Sequence, residues 1–126
     1  MYELKVSSSF SSAHALRGYN GKCENIHGHN WQVEIIVASG ILNATGLVID
    51  FKLLKKHLGE IMETLDHKFI NDLDFFKEAN PSAENIASYI YGELEKITGL
   101  SKDNNIRIAR VNVYETPSSM ASYYKN

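Results

Sequence analysis

Three histidines and the chain's one cysteine occur between residues 14 and 29, at spacings that allow a metal centre. His27 and His29 are separated by one residue, and alternate residues of a strand project from the same face, so a strand would present both imidazoles together. A paired strand carrying His14 would bring the third. Three imidazoles plus an open position form a catalytic zinc site, although imidazole also suits copper, nickel and iron. The alternative is three satisfied core histidines, but their common inward phase favours the metal.

Cys23 precedes His27 by four residues and has three possible roles. As a fourth ligand it would close the site and make the metal structural. As a thiolate near the metal it would be a base or nucleophile, because reactivity follows the thiolate fraction. It could also be a buried, inert thiol. A single cysteine forms no internal disulfide, which suits a reducing compartment.

Two further sets of ionisable residues could take part in proton transfer or ligand binding. Asp66 is adjacent to His67, and an aspartate that hydrogen-bonds an imidazole fixes its tautomer and supports its cationic form. The alternative is that both only contact solvent or backbone at a helix end. Glu115 shares the phase of Val111 and Val113, so its carboxylate should point inward and needs partners. The N–H groups of a ligand would supply them, and the alternative is an intramolecular salt bridge or an exposed turn.

The elements that position these residues begin with two strands. Period-two alternation predicts one strand over residues 2–16 and another over residues 27–37. Asn20-Gly21 is a reversal signal, and a hairpin centred there would place His14 opposite Gly28, beside the other two histidines.

Two helices are predicted in the middle of the chain. Asp50 is a good N-cap for an amphipathic helix that runs to Leu65. His57 lies at the edge of its apolar stripe, where packing explains it, so we exclude it from the site. Asn80-Pro81 predicts the cap and first position of a second helix, which Gly99 ends.

The chain then returns to strands over residues 106–115 and, after a turn at 116–119, through Tyr123-Tyr124. The order ββααββ predicts an α+β fold, a four-stranded antiparallel sheet with two helices on one face. The third strand has apolar residues in both phases, which indicates burial on both faces and hence oligomerisation. Those residues are Ile106 and Ile108 in one phase, and Ala109, Val111 and Val113 in the other.

Size and composition fit one domain over residues 1–126. The net charge of −2 and a pI near 6.2 argue against a nucleic-acid partner. The chain has no apolar stretch approaching the roughly 20 residues that span a bilayer and does not begin like a signal peptide. We therefore expect a cytoplasmic protein with no membrane partner.

Taken together, six motifs resemble the 6-pyruvoyltetrahydropterin synthase superfamily, over nearly the whole chain. Each is weak alone, but the combination is specific. The three-residue gap between Cys23 and His27 is similar to the bacterial 6-carboxytetrahydropterin synthase branch, since the pyruvoyl branch typically has a longer gap. The motifs are Phe10-Ser-Ser-Ala-His14, Cys23-x-x-x-His27-Gly28-His29, Gly46-Leu-Val-Ile-Asp50-Phe51, Leu65-Asp66-His67, Pro81-Ser-Ala-Glu84-Asn85 and Val113-Tyr-Glu115-Thr116.

The resemblance implies a tunnelling fold (T-fold), in which three subunits close their sheets into a barrel and two trimers stack as a hexamer. It implies 7,8-dihydroneopterin triphosphate as substrate and, on the route to queuosine, 6-carboxy-5,6,7,8-tetrahydropterin, acetaldehyde and triphosphate as products. The implied roles are Zn²⁺ binding by His14, His27 and His29, catalysis by Cys23 with the proton-relaying pair Asp66 and His67, and pterin binding by Glu115 and Ser82.

Two alternatives remain open from the sequence. One is the sister reaction, which eliminates triphosphate and forms a pyruvoyl product without acetaldehyde. The other is a non-catalytic, zinc-stabilised oligomer in which Cys23 is the fourth ligand, while Asp66 and Glu115 make salt bridges. The triphosphate has no assigned partners, because no phosphate-cradling glycine loop is present.

Overall fold

The computed structural model describes residues 1–21, 24–100 and 104–126, and it confirms the predicted α+β fold. The four strands form one antiparallel sheet in the order β1-β2-β3-β4. Between the second and third strands the chain forms two helices. The elements are β1 (Tyr2–His14), β2 (His27–Ser39), α1 (Phe51–Leu65), α2 (Ala83–Glu95), β3 (Arg107–Thr116) and β4 (Ser119–Tyr123).

Both helices pack on one face of the sheet, α1 against β1 and α2 against β3 and β4. Alternate side chains of β2, from Trp31 to Val37, are fully buried beneath them. The intervening positions of the sheet carry mostly polar side chains on the opposite face. Burial of this apolar layer stabilises the sheet. The histidines project from the same helix-covered face.

The register of β1 and β2 differs by one residue from the hairpin prediction. His14 pairs with His27, whereas we expected Gly28, and β1 ends at His14. The connection runs over residues 15–26, so Asn20-Gly21 does not form a two-residue hairpin turn. The observed register is the one that period-two geometry requires, since directly paired residues project from the same face of a sheet.

A β-bulge in β3 explains the apolar residues in both of its phases. Pairing with β2 moves from Ile36 opposite Arg110 to Val37 opposite Ile108, which leaves Ala109 as an extra residue. A bulge shifts the alternation by one, so Ile108 faces the same core as Val111. The two-phase pattern is therefore not a sign of a second buried face, and the oligomer that we inferred from it loses this support.

The structure confirms the predicted start of α1 and corrects that of α2. Asp50 caps α1 as predicted, and its carboxylate accepts a hydrogen bond from the Lys52 N–H at 2.7 Å. The N-cap of α2 is Ser82 and not Asn80, so this prediction was two residues early. The side chain of Asn80 binds the backbone of Arg17 instead. In the part of the chain that the structure describes, no helix is long and apolar enough to cross a bilayer.

Removing the Asp50 cap should destabilise the protein without touching the histidines. We expect Asp50→Ala to lower the free energy of unfolding by about 1 kcal/mol, because the N–H of Lys52 loses its acceptor. Asp50→Asn is the matched control and should retain most of the stability, since asparagine caps equally well. Urea denaturation followed by circular dichroism measures both. An Asn variant as unstable as the Ala variant would contradict the capping role.

Candidate metal centre and active site

The three predicted histidines lie together at one end of the sheet, on the helix side. His14 closes β1, and His27 and His29 open β2, so the pairing of His14 with His27 brings all three rings into contact. Glu115 joins them from β3. One ligand atom from each of these four residues lies within 4.8 Å of the others.

Backbone carbonyls set the orientation of two of the rings. Nδ1 of His14 lies 2.6 Å from the Pro81 carbonyl oxygen, and Nδ1 of His27 lies 2.7 Å from that of Asn25. A carbonyl oxygen only accepts, so both Nδ1 atoms donate, and in a neutral ring the lone pair is then on Nε2. The two Nε2 atoms are 3.0 Å apart.

His14 is held in the neutral form by its surroundings. Its side chain is almost fully buried, between the sheet and the segment that leads into α2. Burial is the main cause that lowers the pKa of His14, and the neighbouring His27 and His29 rings lower it further. The hydrogen bond to Pro81 and the charge of Glu115 act in the opposite direction but do not outweigh burial.

Nε2 of His29 is a buried ring nitrogen that makes no hydrogen bond within the described chain. Oε1 of Glu115 lies 2.9 Å away, but the contact lacks the direction of a hydrogen bond. The same oxygen lies 3.9 Å from Nε2 of His14. A buried nitrogen without a hydrogen bond destabilises the folded state, so it indicates a further partner at this point.

These residues fit a metal ion. Two lone pairs that face each other at 3.0 Å repel unless a cation or proton lies between them, and the buried Nε2 of His29 needs a partner at the same place. Imidazole and carboxylate are both ligands of Zn²⁺, and metal-bound histidines typically donate their other N–H to a carbonyl or carboxylate. The four residues can therefore hold a metal ion.

Glu115 borders both the histidine cluster and a neighbouring cavity of about 440 Å³. It is the extra residue where the pairing of β3 with β4 shifts, between Tyr114 and Thr116. The cavity is also lined by Ala83 at the start of α2 and by residues 119–122. Ser82 lies just before this helix, where its hydroxyl accepts from the Asn85 N–H. The carboxylate is thus within reach of the metal centre and of anything bound in the cavity.

The side chains of Asp66 and His67 form the predicted pair, with Oδ2 of Asp66 2.9 Å from Nδ1 of His67. The other carboxylate oxygen accepts the N–H of Ser11 at 2.8 Å. This hydrogen bond is the main cause that lowers the pKa of Asp66. Desolvation, the next largest effect, raises the pKa, and the His67 ring lowers it further. His67 adopts a left-handed backbone conformation (φ 54°), and its side chain is 83% exposed.

This pair lies at the outer edge of β1 and not beside the histidine cluster. Ser11, which it binds, is three residues before His14, or about 10 Å along an extended strand. Among the described residues, no hydrogen bond or ion pair joins Asp66 or His67 to the cluster. The chain therefore orders the pair separately from the metal centre.

Two other residues were considered from the sequence. Cys23 lies outside the described residues, together with Lys22. His57 is partly buried on α1 and is not among the described group of possible metal ligands.

The orientation of the histidines by Pro81 and Asn25 could not be predicted from the sequence, because both residues act through backbone carbonyls. The sequence did mark Glu115 as inward-facing, with a ligand or an intramolecular salt bridge as its partner, but it did not identify His29 as the neighbour. The motif that begins at Pro81 could have indicated the contact with His14, because a proline before a helix restricts the path of the backbone.

Comparison with known proteins identifies the family. The family model for 6-pyruvoyl tetrahydropterin synthase matches residues 3–126. The chain belongs to this family. Among solved structures, the 6-pyruvoyl tetrahydropterin synthase of Caenorhabditis elegans superimposes with a TM-score of 0.86 at 27% identity, covering 99% of this chain and 96% of the other.

Relatives of this family carry two different names. A Synechocystis protein named 6-carboxy-5,6,7,8-tetrahydropterin synthase is 37% identical over 131 residues, covering 98% of this chain and 94% of the relative. The human 6-pyruvoyl tetrahydrobiopterin synthase is also 37% identical, over 107 residues that cover 82% of this chain and 70% of the relative. Identity alone therefore does not separate the two names, and the structural match to the Caenorhabditis elegans 6-pyruvoyl protein is as extensive as the sequence match to the Synechocystis protein.

Zinc should stabilise the folded protein through the histidine cluster. A hundredfold excess of free zinc over the dissociation constant should add about 2.7 kcal/mol to the free energy of unfolding, because only the folded chain presents the site. The effect should be smaller at pH 5.5 than at pH 7.5, since protons compete for the imidazole nitrogens. Thermal unfolding with and without zinc measures this.

His27→Ala should abolish most of this stabilisation, whereas His57→Ala serves as the histidine control and should retain it. Equal zinc responses in the two variants would show that the ion binds elsewhere.

Proposed function

We propose that the protein is a zinc-dependent 6-carboxy-5,6,7,8-tetrahydropterin synthase. It converts 7,8-dihydroneopterin triphosphate to 6-carboxytetrahydropterin, with release of acetaldehyde and triphosphate, in the cytoplasmic biosynthesis of queuosine and related deazapurines. The observation that carries the proposal is the convergence of three imidazole Nε2 atoms next to a carboxylate that faces a cavity, in a chain of this family.

The proposed zinc ligands are His14, His27 and His29. Bound zinc supplies a Lewis acid that lowers the pKa of substrate hydroxyls and stabilises developing negative charge. The carbonyls of Pro81 and Asn25 fix the tautomers of two of the rings, so the ligand atoms are presented before the metal arrives.

Glu115 is the proposed anchor of the pterin ring. A carboxylate accepts two parallel hydrogen bonds from neighbouring N–H and amino donors, which the pterin ring offers. The position of Glu115 at the wall of the cavity supports this role. Its contact with His29 in the ligand-free chain makes a fourth metal ligand the competing role. Ser82, at the N-cap of α2, would add a backbone contact to the ring.

The proposed proton-transfer groups are Cys23, as a thiolate, and the Asp66–His67 pair. Asp66 binds Nδ1 of His67, which orients the ring and leaves its Nε2 as the nitrogen that exchanges a proton with the substrate. The exposure of His67 is consistent with contact to a group outside its own chain.

Because the pair lies away from its own histidine cluster, we place it in the site of a neighbouring subunit. The protein would then act as a homo-oligomer, a hexamer built as a dimer of trimers.

Two observations favour the carboxy product over the pyruvoyl product. The match to the Synechocystis 6-carboxy relative extends over 98% of the chain, and only three residues separate Cys23 from His27. The pyruvoyl reaction is the second candidate, since the human 6-pyruvoyl relative is equally identical over a shorter stretch.

The test of the reaction is to incubate the zinc-loaded protein with 7,8-dihydroneopterin triphosphate and follow the pterin mass and acetaldehyde. We expect a carboxylated tetrahydropterin and one acetaldehyde per turnover. Cys23→Ala should keep its zinc and lose about 10²- to 10⁴-fold in rate, the usual contribution of a general acid or base.

A pyruvoyl product without acetaldehyde would show that the protein catalyses the sister reaction. Loss of zinc from Cys23→Ala would make the thiol a ligand, and no turnover at all would favour a structural zinc site.

Replacing Glu115 distinguishes its two roles. Glu115→Gln retains the shape but replaces one acceptor oxygen with a donor, so pterin binding should weaken by roughly tenfold or more while the zinc content stays at one per chain. Isothermal titration with a pterin that the protein does not convert measures the pterin affinity, and metal analysis measures the zinc content. Asp74→Asn, which changes an exposed carboxylate that pairs with Lys77, is the control for the loss of charge. Loss of zinc with unchanged pterin affinity would make Glu115 a ligand and remove the anchor.

A further inference from the structure

The outer edge of β1, which faces away from β2, is covered by the segment that follows α1. The N–H of Ser11 donates to the Asp66 carboxylate, and its carbonyl accepts from the His67 N–H at 2.7 Å. Two residues further on, the N–H of Ala13 donates to the Lys68 carbonyl at 3.1 Å. This edge therefore has hydrogen-bond partners at Ser11 and Ala13, including an isolated parallel bridge between Ala13 and Phe69, although no further strand joins the sheet there in the described chain.

Two asparagine side chains continue the same pattern beyond the end of β1. Asn71 accepts from the Ala15 N–H at 2.9 Å and donates to the Ala15 carbonyl at 2.8 Å. Asn80 makes the equivalent pair with Arg17, with both distances 2.9 Å. Each amide satisfies the N–H and the C=O of one residue, as a neighbouring strand would.

His14 lies between these contacts. Its two neighbours, Ala13 and Ala15, are held through their backbone by Lys68 and Asn71, while its ring donates to the carbonyl of Pro81. The segment 68–81 thus fixes both the main chain around His14 and the direction of its imidazole.

We infer that Asn71 and Asn80 are positioning residues of the metal centre, because their amides fix the chain that leaves His14 and so hold Nε2 where the other two ring nitrogens meet. This inference rests on the proposed function of the histidine cluster. Both bonds of each pair need an amide. An aspartate would accept from the backbone N–H, but it would place a carboxylate oxygen against the backbone carbonyl.

The test uses Asn71→Asp and Asn80→Asp, with Asn104→Asp as the matched control. The amide of Asn104 also donates to a backbone carbonyl, that of Thr98, at 2.8 Å, but it lies before β3 at the other end of the sheet. Cobalt(II) replaces zinc as the probe, since its visible absorption reports the ligand geometry. The dissociation constant comes from competition with a chelator, on variants whose far-ultraviolet circular dichroism matches the wild type.

We expect both site variants to bind cobalt 10- to 100-fold more weakly and with a changed spectrum, as is typical when a group that orients a metal ligand is lost. Asn104→Asp should keep the wild-type affinity and spectrum, even where its thermal stability falls as much. Asn71→Ala and Asn80→Ala remove both bonds without adding charge, and they replace the aspartate variants if those fail to fold.

Site variants with the cobalt affinity and spectrum of the wild type would overturn the positioning role and leave the proposed function intact. A wild-type protein that binds neither cobalt nor zinc would instead overturn the proposed metal centre.

Discussion

The site depends on two imidazole nitrogens that face each other at 3.0 Å with their protons held on the far side of the rings. The carbonyls of Pro81 and Asn25 hold those protons, one from the approach to α2 and the other from the chain just before β2. Such an arrangement is unfavourable by itself, because two lone pairs repel and His14 is buried. The folded chain sustains it through the packing of the surrounding elements, and a cation at this point would relieve it.

Candidate functional residues lie on two sides of β1. The inward face of its last residue, His14, contributes to the metal centre, while its outer edge holds the carboxylate of Asp66 through Ser11. Glu115 enters from β3 and stands between the cluster and the cavity beside α2. The histidine cluster, the cavity and the Asp66–His67 pair are therefore all fixed relative to one sheet.

The sequence predicted the sheet and the convergence of the three histidines because both follow from period-two alternation, which the buried face of the sheet enforces. It failed where a tertiary contact overrides a local signal. Asn20-Gly21 reads as a hairpin turn, yet the strands are joined by a longer connection. Asn80 reads as a helix cap, yet its amide binds Arg17 and leaves the cap to Ser82. The bulge at Ala109 has no marker in the sequence, so the phase change in β3 suggested a second buried face.

The fold brings three imidazole Nε2 atoms to one point, and a single metal ion is expected to bind there. Diffraction from crystals grown with zinc, recorded on both sides of the zinc absorption edge, would locate the ion. We expect one anomalous peak per chain, about 2.0–2.1 Å from Nε2 of His14, His27 and His29. A peak at other residues, or ligation through Nδ1 of His14 with its bond to Pro81 broken, would contradict it.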